Sequence, residues 1–137
     1  AAALHNRHGI NKPYCFNRKE AKDHGEGGLT VGAPLQGRAL IVDDVITAGT
    51  AVREVMDLFE RTGTEPAGII VALDRQERGT GSKSAIQEIE EQYQIPVLSI
   101  ISLAQIIEYL SRQDDPKLAS NLEAVKRYRD EYGVSSD

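Results

Sequence analysis

The chain has 137 residues, 40% of them hydrophobic and 27% charged, with a formal net charge of −5; this is the balance of one globular domain, long enough to bury a core without staples. An acidic chain is a poor nucleic-acid binder, which carries a basic face, although a local basic pocket for a small polyanion remains open to it. A single cysteine, Cys15, has no partner for an internal disulfide and fits a reducing, cytoplasmic setting; no apolar run approaches the ~20 residues that span a bilayer, and no secretory signal opens the chain.

Ala1-Ala2-Ala3-Leu4 lacks an initiator Met and reads as the last turns of a helix already under way, so further residues are expected upstream. The polar segment 6–12, with Gly9 inside, ends that helix, and His5 and His8 read as exposed. Tyr14-Cys15-Phe16, entered from Pro13, reads as a short strand with Cys15 packed into the core. Residues 18–36 are rich in glycine and ionisable side chains and show little periodicity. They read as one long loop, and ordered domains seldom carry so long a loop without a use for it.

Residues 38–43 follow, and their run Ala39-Leu40-Ile41-Val42 suits a strand covered on both faces. A small-residue turn, Thr47-Ala48-Gly49-Thr50, leads into a helix with Val52, Val55, Met56 and Phe59 on one face, and Gly63 is placed to end it. Residues 67–73 form a second apolar strand, and 75–83 a charged loop. Ser84 and Gln87 make a capping-box signature for a helix through Tyr93. A third strand is predicted over 97–101, and Ser102 with Gln105 repeats the capping-box pattern before a helix through Leu110. Asp115-Pro116 fits an N-cap and first helical position for a last helix to about Tyr132, with Gly133 past its end; Tyr128 and Tyr132 read as packing residues. Alternation of strand and helix predicts an α/β fold, a parallel sheet flanked by helices. Ligands of such sheets sit at the carboxyl ends of the strands, where two chemically loaded segments fall.

The first is the run from Leu40 to Thr50. Four apolar residues deliver two carboxylates, Asp43 and Asp44, to a strand end, and a small-residue turn then opens a helix. Small residues let backbone N–H groups approach a phosphate, and the helix N-terminus adds partial positive charge. Thr47 and Thr50 offer hydroxyls to the same anion. The carboxylates suit sugar hydroxyls, or a Mg²⁺ ion through its waters. Together these features describe a site for a sugar phosphate with a metal nearby. The second segment is Leu73-Asp74-Arg75-Gln76-Glu77-Arg78-Gly79, a charged cluster after a buried strand. A third signal lies upstream in the long loop, where Arg18, Lys19, Lys22 and His24 fall within seven residues and glycines follow. A mobile cationic loop of this kind suits a pyrophosphate leaving group.

The run 40–50 resembles the phosphoribosyl pyrophosphate (PRPP) motif of the type I phosphoribosyltransferases: hydrophobic strand, two acids, then a Thr/Gly-rich turn. Residues 18–28, RKEAKDHGEGG, preceded by Tyr14-Cys15-Phe16-Asn17, resemble the catalytic loop of the orotate phosphoribosyltransferases within that family. The resemblance implies the Rossmann-like fold of that family across one domain, 1–137, with 18–36 as a mobile catalytic loop and with the family's N-terminal part absent before Ala1. It implies that Asp43 and Asp44 contact the ribose hydroxyls and the metal shell. It implies that Thr47, Ala48, Gly49, Thr50 and Ala51 cradle the 5-phosphate. By the same resemblance Arg18, Lys19, Lys22 and His24 bind the pyrophosphate, with Lys22, His24, Asp43 and Asp44 carrying the catalysis. Arg75, together with Thr47, would contact orotate, whose carboxylate a guanidinium fork suits.

The implied reaction is Mg²⁺-dependent transfer of phosphoribosyl from PRPP to orotate, giving orotidine 5′-phosphate and pyrophosphate on the way to UMP. The metal would be held by PRPP and waters near Asp43 and Asp44, with no direct protein ligand. A homodimer sharing its catalytic loops across subunits is also implied. Three other readings use part of the pattern: a PRPP-binding regulator, a transferase for another base, and the diphosphokinase that makes PRPP. The regulator usually pairs the fold with a DNA-binding segment, and the diphosphokinase lacks the RKEAKDHGEGG loop.

Overall fold

Runs of aliphatic residues carry a full set of backbone donors and acceptors, so they bury well only when paired. The computed structural model of the chain describes residues 1–22, 28–79 and 81–134. Its elements run in the order helix α1 (Ala2–His8), strands β1 (Cys15–Lys22), β2 (Gly28–Gly32) and β3 (Arg38–Asp43), helix α2 (Thr50–Thr62), strand β4 (Glu65–Asp74), helix α3 (Ala85–Tyr93), strand β5 (Val97–Ser102), and helices α4 (Leu103–Ser111) and α5 (Pro116–Tyr132). Strands β3, β4 and β5 form a parallel sheet in that order, with α2 and α3 as the crossovers. This is the predicted α/β architecture. All three strands point the same way, so their carboxyl ends share one edge.

The register sorts the side chains. Ile41 pairs with Ile69, and Ile69 with Val97; this row faces the helices. Ile41, Ile69 and Val71 form the core with Val52 and Phe59 of α2 and Ile89 of α3. Ile69, Val71, Val52 and Ile89 are almost wholly buried, each worth roughly 1.5–3 kcal/mol relative to an exposed side chain. The next row, Val42, Ile70 and Leu98, faces the other way. Here the structure corrects the expectation of a strand covered on both faces: Val42 is 73% exposed, and Leu40, Leu98 and Ile100 are exposed too. The reason is topological. Consecutive crossovers of one hand, stepping in one direction across a sheet, put both helices on the same side.

The stretch 18–36 is a second correction. Instead of one unstructured loop it contains much of an antiparallel ribbon, in which Cys15 pairs with Gly32, Phe16 with Val31, Asn17 with Thr30 and, after a register shift, Lys22 with Gly28. The ribbon stands apart from the β3–β5 sheet; its first residues, Cys15 and Phe16, lie where a short strand was expected, while the alternation Leu29-Thr30-Val31 in β2 is too brief for periodicity to reveal the rest. Cys15 is half-buried and outside the core cluster.

The element ends follow their local chemistry. Both predicted capping boxes form: the Ser84 hydroxyl accepts from Gln87 N and the Ser102 hydroxyl from Gln105 N, with the glutamines accepting from the serine N–H groups in return. The Asp115 carboxylate accepts from Lys117 N beside Pro116. Gly68, at φ 147, lets β4 bulge against β3, where Ala39 faces Pro66 but Leu40 faces Gly68. A side chain there would meet the Pro96 carbonyl at 3.0 Å.

Candidate active site

At the end of β3 the chain leaves the sheet through a locally determined turn. The Asp44 carbonyl accepts from Ala72 N (2.9 Å) and Leu73 N (3.1 Å), fastening the first loop residue to β4. Asp43 Oδ1 accepts from Asp44 N at 2.9 Å, and Asp44 Oδ1 from Val45 N at 2.6 Å. Each carboxylate therefore spends one oxygen on the next residue's N–H, and its other oxygen has no hydrogen bond among the described residues. Gly49, buried and at φ 70, ψ 8, is the residue before α2, and among the described residues no side chain caps that helix. The first N–H groups of α2 consequently lack side-chain partners where the helix dipole is positive. They border a cavity of about 260 Å³ lined by Asp43 and residues 45–52. A Cβ at Gly49 would lie 3.0 Å from Ile89 Cδ1, so the turn rests directly on α3.

One residue of this site was not anticipated from the sequence. The half-buried Arg53 donates from Nη1 to the Ala48 carbonyl at 2.6 Å, and its backbone N–H bonds to the Gly49 carbonyl. The guanidinium thus occupies an oxygen that would otherwise present partial negative charge in the turn, and it adds a cation at the helix N-terminus. The signal was present: a cation one turn into a helix whose opening is otherwise built of small residues.

At the end of β4 lies the second cluster. Arg75 Nη2 donates to Thr47 Oγ1 at 2.9 Å and pairs with Glu77 Oε2 at 2.9 Å. The first bond spans the two strand ends and joins the turn to the charged loop. Beside it opens a larger cavity of about 600 Å³, which Thr47, Arg75, Glu77, Arg78, Tyr128 and Tyr132 all line. The Tyr128 hydroxyl donates to Glu77 Oε1. Tyr128 and Tyr132 were expected to be packing residues. They do pack on each other, with ring centroids 5.0 Å apart, but both keep open surface on the cavity. The Tyr132 phenol is held above its ordinary range by hydrogen bonding to Glu131, then by that carboxylate's charge and a little burial, so it is neutral at pH 7.

The structure therefore gathers Asp43, Asp44, Thr47, Ala48, Gly49, Thr50, Ala51 and Arg75 at one sheet edge. Arg18 is half-buried in β1 and lines neither cavity. His24 and the side chains of Lys19 and Lys22 lie outside the described residues. Among the described residues no three His, Cys, Asp or Glu side chains converge as a metal site. The donor set on offer is two neighbouring carboxylates with one uncommitted oxygen each, hard ligands suited to a Mg²⁺ held mainly by water and phosphate oxygens. No described helix is long and apolar enough to cross a membrane.

The comparisons with known proteins bear on this geometry. The chain is 58% identical over 134 residues to the orotate phosphoribosyltransferase of Pseudomonas aeruginosa, an alignment covering 98% of this chain and 62% of that protein. It superposes on the crystal structure of orotate phosphoribosyltransferase from Francisella tularensis with a TM-score of 0.78 and 33% identity, covering 96% of this chain and 61% of the other. It also resembles the Mycobacterium tuberculosis orotate phosphoribosyltransferase in complex with inorganic phosphate (TM-score 0.58, 27% identity, 76% of this chain and 53% of that one). The chain thus spans a little over three fifths of the length of the curated relatives it matches. Residues 9–97, well over half of the chain, match the family described as phosphoribosyl transferase domain, and the chain belongs to that family.

Proposed function

We propose that this chain carries the PRPP and base sites of an orotate phosphoribosyltransferase, the enzyme that converts orotate and PRPP to orotidine 5′-phosphate and pyrophosphate in pyrimidine synthesis. One observation carries the reading: the uncapped helix N-terminus with its two carboxylates and the Arg75 loop share one sheet edge, joined through Thr47. A sugar phosphate on the first and a carboxylate-bearing base on the second would meet between them. The relatives' names supply the substrate, and a phosphate complex of one relative supports the anion site.

In this reading the N–H groups and hydroxyls of residues 47–51 hold the 5-phosphate. Asp43 and Asp44 orient the ribose hydroxyls, and their negative charge favours the positive charge that develops on the ring as pyrophosphate departs. Arg75 holds the base by its carboxylate, so that the ring nitrogen meets the anomeric carbon from the opposite side; much of the rate then comes from positioning. Asp43 and Asp44 would hold a Mg²⁺ ion through its waters, and the ion would supply charge neutralisation to the pyrophosphate. Arg18, Lys19, Lys22 and His24 assist the leaving group. The active form is a homodimer in the cytoplasm, with the loop of one subunit serving the other. The direct test is loss of orotate absorbance with PRPP and Mg²⁺, run on this chain and on a polypeptide of its relatives' full length that contains it. Orotate consumption in either supports the reading. PRPP binding with consumption of a different base, or of none, overturns it.

A further inference from the structure

We propose that Gln76 is a positioning residue of the base site: it ties the loop to α4 and so holds Arg75 from the side opposite Thr47. The inference rests on the reading of Arg75 as the group that binds the base. Strands β4 and β5 end together, with Asp74 beside Ser102. Just beyond that pair the Gln76 side chain crosses between the two strand ends, and its Oε1 accepts from Ala104 N at 2.9 Å, in the first turn of α4. That N–H has no partner within its own helix, and the Ser102 hydroxyl is taken by Gln105 N. Arg75 crosses the other way, to Thr47 beyond the end of β3. Adjacent side chains thus tie the end of β4 to the ends of both neighbouring strands.

The backbone at Gln76 is an independent sign. Among the described residues only Gln76 and Gln94 are non-glycines with positive φ, both at 54°. Gln94 ends α3, where a left-handed residue is ordinary. Gln76 ends no helix, and a left-handed L residue in such a place is uncommon and persists where its surroundings hold it. Here they do. Gln76 N donates to Asp74 Oδ1 at 2.9 Å, and the Gln76 carbonyl accepts from Val134 N at 2.9 Å. Through backbone and side chain together Gln76 is held by β4, by α4 and by the segment after α5. The turn it makes sets the direction in which Arg75 leaves the sheet.

Gln76→Met keeps the length of the side chain and removes its acceptor. Gln76→Gly removes the side chain but adopts the left-handed backbone freely. In a polypeptide of the relatives' full length that contains this chain, both weaken orotate binding by about fivefold, the worth of one hydrogen bond, measured calorimetrically, while inorganic phosphate affinity is unchanged. Ser102→Ala loosens the same end of α4 but leaves the tie, so orotate affinity holds; this separates positioning of Arg75 from support of the helix. A ligand-independent readout accompanies the binding. The methyl resonance of Thr47, which Gln76 reaches through Arg75, shifts in both Gln76 variants and not in Ser102→Ala. Wild-type orotate affinity in either Gln76 variant, an equal loss in Ser102→Ala, or an unmoved Thr47 resonance overturns the proposal. Absence of orotate binding in the wild type, with the Thr47 resonance shifting as expected, refutes the orotate reading but leaves the hold of Gln76 on Arg75 standing.

Discussion

The turn after β3 and the Arg75 loop leave neighbouring strands of one sheet, yet their side chains are held in different ways. The turn's own side chains hold it from within, as Asp43 bonds Asp44, Asp44 bonds Val45 and Arg53 reaches back five residues to Ala48, while the Asp44 carbonyl fastens it to β4. The Arg75 loop is held from afar, by Tyr128 across 51 positions and by the backbone of residues 132–134. A phosphate presents the same oxygens whatever sugar or base it carries, so a contiguous motif can recognise it. A base must be recognised in shape and charge, and the site proposed for it is assembled from distant parts of the chain.

The comparison can be broken or sharpened by substitution. The largest effect is expected from Asp44→Asn, which keeps the oxygen that bonds Val45 N and removes only the charge. Turnover should fall on the order of 10²-fold with an unchanged melting temperature, measured as initial rates of PRPP-dependent orotate loss; near-normal turnover would refute the assigned role. Gly49→Ala comes next. An L side chain at φ 70 costs roughly 1–2 kcal/mol, and the 3.0 Å approach to Ile89 Cδ1 adds to it. Urea denaturation should show a loss of about 2 kcal/mol, together with weaker inorganic phosphate binding; a loss near zero would mean that the turn yields easily and is not set by α3. Arg53→Met should weaken phosphate binding by roughly fivefold to tenfold, by releasing the Ala48 carbonyl and removing a cation, while orotate affinity is unaltered. If both ligands weaken alike, the two regions are not independent. The smallest change, Ser84→Ala, removes one half of a capping box and should cost about 1 kcal/mol of stability, with neither ligand affected.

Much of the turn could be read in advance because its determinants are adjacent. Apolar residues, two acids, small residues and an amphipathic helix in succession fix a strand end, a turn and a helix start, and Gly49 takes the left-handed conformation such a junction needs. The capping residues Ser84, Ser102 and Asp115 were legible for the same reason. Glu77 was not, since nothing in its neighbourhood says that Tyr128 will meet it. The start of β1 was legible at Cys15-Phe16, but the rest of the β1–β2 ribbon was missed because its charged and glycine-rich strands offer only the brief alternation Leu29-Thr30-Val31, and the exposure of Val42 because an apolar run does not say how many of its faces will be covered.

By itself the sequence determined where the helices and the strands of the parallel sheet begin and end to within a few residues, which strands alternate with helices, and which short run sets two carboxylates before a small-residue turn and a helix start. These are local matters of backbone conformation, capping and periodicity, settled within a few residues. Only the tertiary structure decided that both crossover helices share one face of the sheet, that Thr47 and Arg75 meet across two strand ends, and that Tyr128 and Tyr132 of the C-terminal helix line the same cavity as Arg75 and Glu77. Those depend on strand order and long-range packing, whose determinants are spread along the whole chain.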